Sequence, residues 1–136
     1  MIEDVAPRDV WEALMSDPDA VLVDVRTHAE WNFVGVPELG EAGKQPVLIS
    51  WTGPVSVAEH PEFLEGLRAA HIGVEAKIYF LCRSGVRSKA AALVARGAGY
   101  RHVFNIKDGF EGPLDARGHR GTVAGWKMEG LPWKQG

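Results

Sequence analysis

A chain of 136 residues has room for one domain around one core. Its composition, 46% hydrophobic and 24% charged with 16 Gly and 8 Pro, is that of a globular protein and excludes a disordered or fibrous one. The net charge of -3 supplies no basic field for nucleic acid, and the single cysteine excludes both an internal disulfide and a zinc site of several thiolates within one chain.

The first residues, Met1-Ile2-Glu3-Asp4, are acidic and hold no apolar run, so they read as neither a secretory signal nor a transit peptide. No stretch approaches the roughly 18 to 20 apolar residues of a membrane helix. The expected location is the cytoplasm, with neither membrane nor nucleic acid as partner. His28, His60, His71, His102 and His119 form no close pair at ligand spacing, so no metal is expected.

Apolar runs of strand length alternate with helix-like stretches, the pattern of a mainly parallel sheet covered by helices. A short extended piece is expected near Val5, followed by a helix with Pro7 at its first position and Val10, Trp11, Leu14 and Met15 on one apolar face. Ser16-Asp17-Pro18-Asp19 turns the chain into Val21-Leu22-Val23-Asp24-Val25, a run suited to a strand buried on both faces, with Asp24 as its exception. Gly35 to Gly43 has no period and reads as loop, leading to a second strand at Pro46-Val47-Leu48-Ile49. Pro61 opens a helix with Phe63, Leu64 and Leu67 on one face, broken at Gly73. The strand Lys77-Ile78-Tyr79-Phe80-Leu81 runs into Cys82-Arg83-Ser84-Gly85-Val86-Arg87-Ser88, and an Ala-rich helix from about Arg87 to Arg96 stops at Gly97 and Gly99. His102-Val103-Phe104-Asn105-Ile106 reads as the last strand. Beyond Gly109 the chain reads as a mostly irregular segment packed on the domain by Phe110, Trp126 and Trp133.

A lone cysteine is ordinarily a small core residue. Cys82, however, falls where a buried strand ends and a helix begins, the place where open α/β sheets present their ligands. Gly85 lets the intervening loop curl so that successive N–H groups form a nest for an anion. Those groups, the positive helix end, Arg83 and Arg87 all favour a thiolate, which is the nucleophile. Cations at a helix N-terminus are electrostatically misplaced unless a negative charge accompanies them, and here the thiolate or a bound substrate is expected to supply it. Asp24 and Arg26 are read as structural, because a carboxylate near a strand end survives burial by pairing. Trp31, Trp51, Trp126 and Trp133 are read as core or rim packing, with Trp51, before Thr52-Gly53-Pro54, a candidate for the pocket mouth.

Cys82-Arg83-Ser84-Gly85-Val86-Arg87-Ser88 resembles the Cys-Arg-x-Gly-x-Arg-Ser/Thr active loop of rhodanese-like sulfurtransferases. Leu22-Val23-Asp24-Val25-Arg26 with Glu30-Trp31 is similar to that family's Asp-x-Arg strand end and Glu-Phe/Trp pair. Gly109-Phe110, Gly125-Trp126 and Gly130-Leu131-Pro132-Trp133 resemble its C-terminal signature. The chain departs from the family's Gly-His-Ile-Pro-Gly-Ala with Val34-Gly35-Val36-Pro37-Glu38-Leu39, and residues 111 to 120 are longer than the family minimum.

The resemblance implies a rhodanese-like three-layer α/β domain spanning residues 1–136, with a central, mainly parallel five-stranded sheet, helices on both faces, and 111–136 a largely irregular segment packed on it. It implies a Cys82 persulfide formed from a small anionic donor such as thiosulfate and passed to a thiol or cyanide, or to a protein acceptor. Arg83, Ser84, Gly85, Val86, Arg87 and Ser88 would bind the substrate, Asp24 and Arg26 would support the site, and no cofactor or metal would be needed. A persulfide carrier or binding module serving a protein partner is the alternative reading. A cysteine-based phosphatase or arsenate reductase fits less well, because Arg87 lies five residues after Cys82, one fewer than in the Cys-x5-Arg loop of such enzymes.

Overall fold

The β-branched run ahead of Asp24 and the aromatic run ahead of Cys82 lie side by side at the centre of a sheet. The structure, a computed structural model, describes residues 2–51 and 61–135, so Thr52-Gly53-Pro54 and His60 lie outside the described residues. In chain order the elements are β1 (Glu3–Val5), α1 (Pro7–Ser16), β2 (Ala20–Asp24), α2 (His28–Phe33), β3 (Val36–Pro37), a single 3-10 turn (Gly40–Ala42), β4 (Val47–Leu48), α3 (Pro61–Ala69), β5 (Lys77–Leu81), α4 (Val86–Gly97), β6 (His102–Ile106) and β7 (Trp133–Lys134). Five strands form one sheet in the order β1-β6-β5-β2-β4, every pair parallel. A short antiparallel pair joins β3 to β7.

Side chains alternate across a strand, and the apolar runs are buried on both sides accordingly. Ile78 and Phe80 of β5 face one cluster with Val23, Val103, Phe63 and Leu67 of α3, and Ala91 and Ala95 of α4. Tyr79 and Leu81 face the other, with Leu22, Ile106, Val10 and Leu14 of α1, Phe110 and Trp126. Helices therefore cover both faces, as the sequence implies. The alanines of α4 let its backbone lie close to the sheet. Each fully buried Leu or Phe contributes about 1.5–3 kcal/mol relative to an exposed one.

The expected strands and three long helices are present, most with boundaries shifted by a residue or two, while α3 ends at Ala69, short of Gly73. Met15 departs from expectation: it is 47% exposed, because at 3.6 residues per turn it lies past the edge of the Val10–Leu14 stripe. Helix α2 and strands β3 and β7 interrupt segments without a clear period. Trp133 is 39% exposed. Its ring is nevertheless engaged, with the Lys127 ammonium 3.8 Å from its centroid and the Phe110 ring edge-on at 6.3 Å.

Strand register fixes where chemistry is possible. Asp24 pairs with Leu81, and the Val25 N–H donates to the Leu81 carbonyl at 2.8 Å, so the segments following β2 and β5 leave the same edge of the sheet. Just past that edge, Arg26 is 0% exposed and pairs with Asp24, also 0% exposed. Its Nε donates to Oδ1 at 2.9 Å and its Nη2 to Oδ2 at 2.6 Å, while Nη2 also reaches the Gly35 carbonyl at 2.7 Å. Removing one partner leaves a buried charge without its counterion. Asp24→Ala should lose about 3–5 kcal/mol in urea unfolding; a loss under about 1 kcal/mol would show that the pair does not hold the fold.

Candidate active site around Cys82

Cys82 is the first residue beyond β5, and only Arg83, Ser84 and Gly85 separate it from α4. Gly85 caps α4 with φ +108°, a backbone angle that L side chains rarely adopt. That turn brings the Gly85 N–H to 3.0 Å from the Cys82 Sγ. One turn into α4 the Ser88 hydroxyl stands 3.1 Å from the same sulfur. Of the loop N–H groups expected to cradle the sulfur, that of Gly85 makes the contact. Those at the start of α4 belong to the helix end, which has no intrahelical acceptors for them. Cys82 is 1% exposed and shares the apolar cluster of Phe80 and Trp51, so the sulfur is buried but provided with donors. Trp51 is itself 2% exposed and meets Phe63 edge-on at 5.2 Å.

The loop's carbonyls are held from behind. The Phe110 N–H donates to the Cys82 carbonyl at 2.8 Å, and the N–H groups of Glu111 and Gly112 donate to the Arg83 carbonyl at 3.0 and 3.2 Å. With these carbonyls engaged there, the N–H groups of Arg83 and Ser84 are directed away from the C-terminal segment. Close approach needs Gly109: it has φ +63°, and a Cβ would meet the Cys82 carbonyl and lie 2.6 Å from the Arg83 carbonyl carbon. The segment that holds this turn is anchored by Phe110, whose ring carries the Arg26 guanidinium 4.2 Å from its centroid, and by Trp126, whose indole N–H donates to the Pro132 carbonyl.

The two arginines of the loop have different surroundings. Arg87 is clamped by Glu30, Nη1 to Oε1 at 2.8 Å and Nη2 to Oε2 at 2.9 Å. Glu30 also belongs to the capping box that starts α2, accepting from the Thr27 N–H while the Glu30 N–H donates to the Thr27 hydroxyl. The negative charge expected beside Arg87 thus comes from another helix. Arg83 is exposed, and among the described residues its guanidinium makes no hydrogen bond or ion pair. Ser84 and Gly85 are partly buried, Val86 is exposed and Ser88 is 0% exposed.

Burial works against the charge of Glu30, but hydrogen bonds from Arg87 and Thr27 outweigh it and hold the carboxyl below its usual range. Arg87 is raised in turn, first by the Glu30 hydrogen bond against the cost of burial, then by the charges of Glu30, Cys82 and Asp24. Asn105 and Asp4, absent from the sequence reading of the site, are linked to the sulfur through Ser88: Ser88 Oγ is within hydrogen-bond distance of Asn105 Oδ1, and Asn105 Nδ2 donates to Asp4 Oδ1 at 2.8 Å. An amide within the apolar run Val103-Phe104-Asn105-Ile106 is the available signal.

The chain matches the STR4 middle domain family over residues 3–136. It belongs to that family. A solved structure of Rv0390 from M. tuberculosis is similar at 47% identity, covering 98% of each chain with a TM-score of 0.85. The polysulfide-sulfur transferase homodimer of Wolinella succinogenes shares the fold at 20% identity and TM-score 0.68, over 99% of this chain and 80% of that one. The chloroplastic rhodanese-like domain-containing protein 4 of Arabidopsis thaliana is 28% identical over 93% of this chain and 24% of that protein. The chain is a small rhodanese-like domain, and among its described residues no helix is long and apolar enough to cross a membrane.

Because the Glu30 carboxyl is lowered in the fold, its pairing stabilises fully above the ordinary value of 4.5 and is lost as pH falls through the folded value. Glu30→Gln should therefore be less stable than wild type by about 1–2 kcal/mol at neutral pH, with the gap closing in acid. Urea midpoints across pH measure this, and a gap constant with pH would show that Glu30 acts through packing. Gly109→Ala should cost roughly 2 kcal/mol or more and change the rate of Cys82 alkylation, since its Cβ has no room behind the loop. A neutral result in both assays would mean that the 109–112 turn does not set the loop.

Proposed function

We propose that this domain transfers sulfane sulfur through a persulfide on Cys82. The observation that carries the reading is a single buried sulfur at a strand end, in contact with the Gly85 N–H and the Ser88 hydroxyl at the N-terminus of α4. The Gly85 N–H, fixed in a water-poor site, stabilises charge at sulfur without reorganising, and the helix end adds a positive potential. The family and fold agree with this reading.

In the first step the Cys82 thiolate attacks the outer sulfur of a donor such as thiosulfate. The new Sγ–S bond forms as the bond to the sulfonate sulfur breaks, and sulfite departs with the electron pair. In the second step cyanide or a thiolate attacks the outer sulfur, giving thiocyanate or an acceptor persulfide and returning the Cys82 thiolate. Arg83, exposed and unclaimed among the described residues, is the cation suited to recruit the anionic donor. Arg87, neutralised by Glu30, serves the shape of the loop and the local potential more than direct capture. Ser84, Gly85, Val86 and Ser88 complete the substrate-facing loop, and Asp24 with Arg26 supports it from behind. A protein thiol is an acceptor of the same chemistry, so a carrier role is contained in this mechanism.

The four residues between β5 and α4, Cys82 to Gly85, make a tight turn that brings the Gly85 N–H and the Ser88 hydroxyl close to one sulfur atom rather than around a tetrahedral phosphate. Intact mass after thiosulfate should show one added sulfur, removed by cyanide and absent in Cys82→Ser. Arg83→Ala should raise KM for thiosulfate roughly five- to tenfold with a smaller change in kcat. Hydrolysis of aryl phosphates without any sulfur loading would overturn the proposal.

A further inference from the structure

A hydroxyl carries one proton, and the Ser88 hydroxyl is offered two acceptors: Cys82 Sγ at 3.1 Å and, on its other side, Asn105 Oδ1. Which acceptor receives it is decided further out. The Asp4 carboxylate only accepts, so Asn105 must present its NH2 group to Asp4, which it does with Nδ2 at 2.8 Å from Oδ1. The amide orientation is thereby locked, and Oδ1 faces Ser88 as a pure acceptor. The Asn105 hydrogen bond holds the Asp4 carboxyl below its usual range despite partial desolvation, and Lys89, 3.3 Å from Oδ2, lowers it further. Asn105 is 3% exposed and Ser88 0%, so no water stands in for either group at no cost.

We propose that Asn105, oriented by Asp4, is a positioning residue that draws the Ser88 proton away from Cys82. The chain Sγ–H to Ser88 Oγ–H to Asn105 Oδ1 satisfies every group when Cys82 is a thiol. It is equally satisfied when Sγ is the uncharged bridging sulfur of a persulfide, because Ser88 then needs to give nothing to Sγ. The bare thiolate is the state it opposes. Either the Ser88 lone pairs face the anion at 3.1 Å, or the hydroxyl turns to sulfur and its oxygen is left against Asn105 Oδ1. The wiring thus works against the Gly85 N–H and the helix end, which favour the thiolate, and it makes the resting and sulfur-loaded forms the preferred ones. The inference rests on the sulfur-transfer reading only for its purpose, since the wiring itself concerns the Cys82 proton.

The test is the pH profile of Cys82, followed by thiolate ultraviolet absorbance and by iodoacetamide alkylation of the intact chain. The charged groups around this sulfur and its relay are Arg87 of α4, which interacts with Cys82, Glu30 of α2 and Asp24 at the end of β2; Arg26, paired with Asp24; Asp4 of β1 with Lys89 of α4 and Lys107 after β6; and the exposed Arg83 next to Cys82 in the loop. The variants leave all of these in place except Asp4. Asn105→Leu removes the competing acceptor, and Asp4→Ala, at an exposed position, frees the amide to turn its NH2 group toward Ser88. Each should move the thiolate midpoint to lower pH by about one unit, giving about tenfold faster alkylation below both midpoints. In a Ser88→Ala background Asn105→Leu should have no effect, and Asp4→Ala should keep only the small shift due to its lost charge. An unmoved or raised midpoint in Asn105→Leu, or an equal shift with and without Ser88, overturns the proposal. Because the readout is the unloaded cysteine, failure of thiosulfate to load sulfur would strike the functional reading and leave this one standing.

Discussion

A fully buried guanidinium organises one end of this molecule. Arg26 follows β2 and has no exposure to water, so its charge must be met within the protein. Asp24 meets it edge-on, the Gly35 carbonyl takes a further N–H, and the Phe110 ring covers its face. Three stretches are thereby tied to one side chain: the end of β2, the turn that leaves α2, and the start of the C-terminal segment. Hydrophobic burial alone would tolerate small rotations among these parts. A bidentate ion pair with a stacked ring does not, because its geometry is directional.

The position of the sulfur follows from that tie. Phe110 does not only cover Arg26; its N–H holds the Cys82 carbonyl, and its neighbours hold that of Arg83. A peptide unit is planar, so fixing the carbonyl on one side directs the next N–H to the other. The loop between β5 and α4 gives the carbonyls of Cys82 and Arg83 to the C-terminal segment, while its Gly85 N–H meets the sulfur. Charge is distributed with the same economy. Glu30 offsets Arg87 across two helices, leaving Arg83 as the loop cation open to solvent, while Asp4 and Lys89 offset each other at the far end of the polar chain that reaches Ser88.

Most of the layout is legible in the residues. The buried strands are short β-branched or aromatic runs, and α4 is written in its alanines. What escaped was short or polar. Helix α2 has only six residues and one buried side chain, Trp31, too few for a period, although the capping-box spacing of Thr27 and Glu30 was there to be read. Strands β3 and β7 have two residues each and exist only because they meet. Met15 is apolar and reads as core, but helical geometry carries it past the edge of the buried stripe.

The sequence by itself determined the chemistry available at the site: one nucleophilic sulfur after a buried strand, a glycine able to turn the chain back on it, and a helix start to follow. These are local properties, fixed by residue type and by spacings of a few positions. Only the tertiary structure decided how that chemistry is tuned. Glu30 reaches Arg87 across 57 residues, and Asp4 reaches Asn105 across 101. The Phe110 ring meets Arg26 from the opposite end of the chain. Electrostatic and hydrogen-bond partners are chosen by distance in space, and parallel pairing of β1 with β6 and β2 with β5 brings these groups together. No pattern of neighbouring residues encodes those distances.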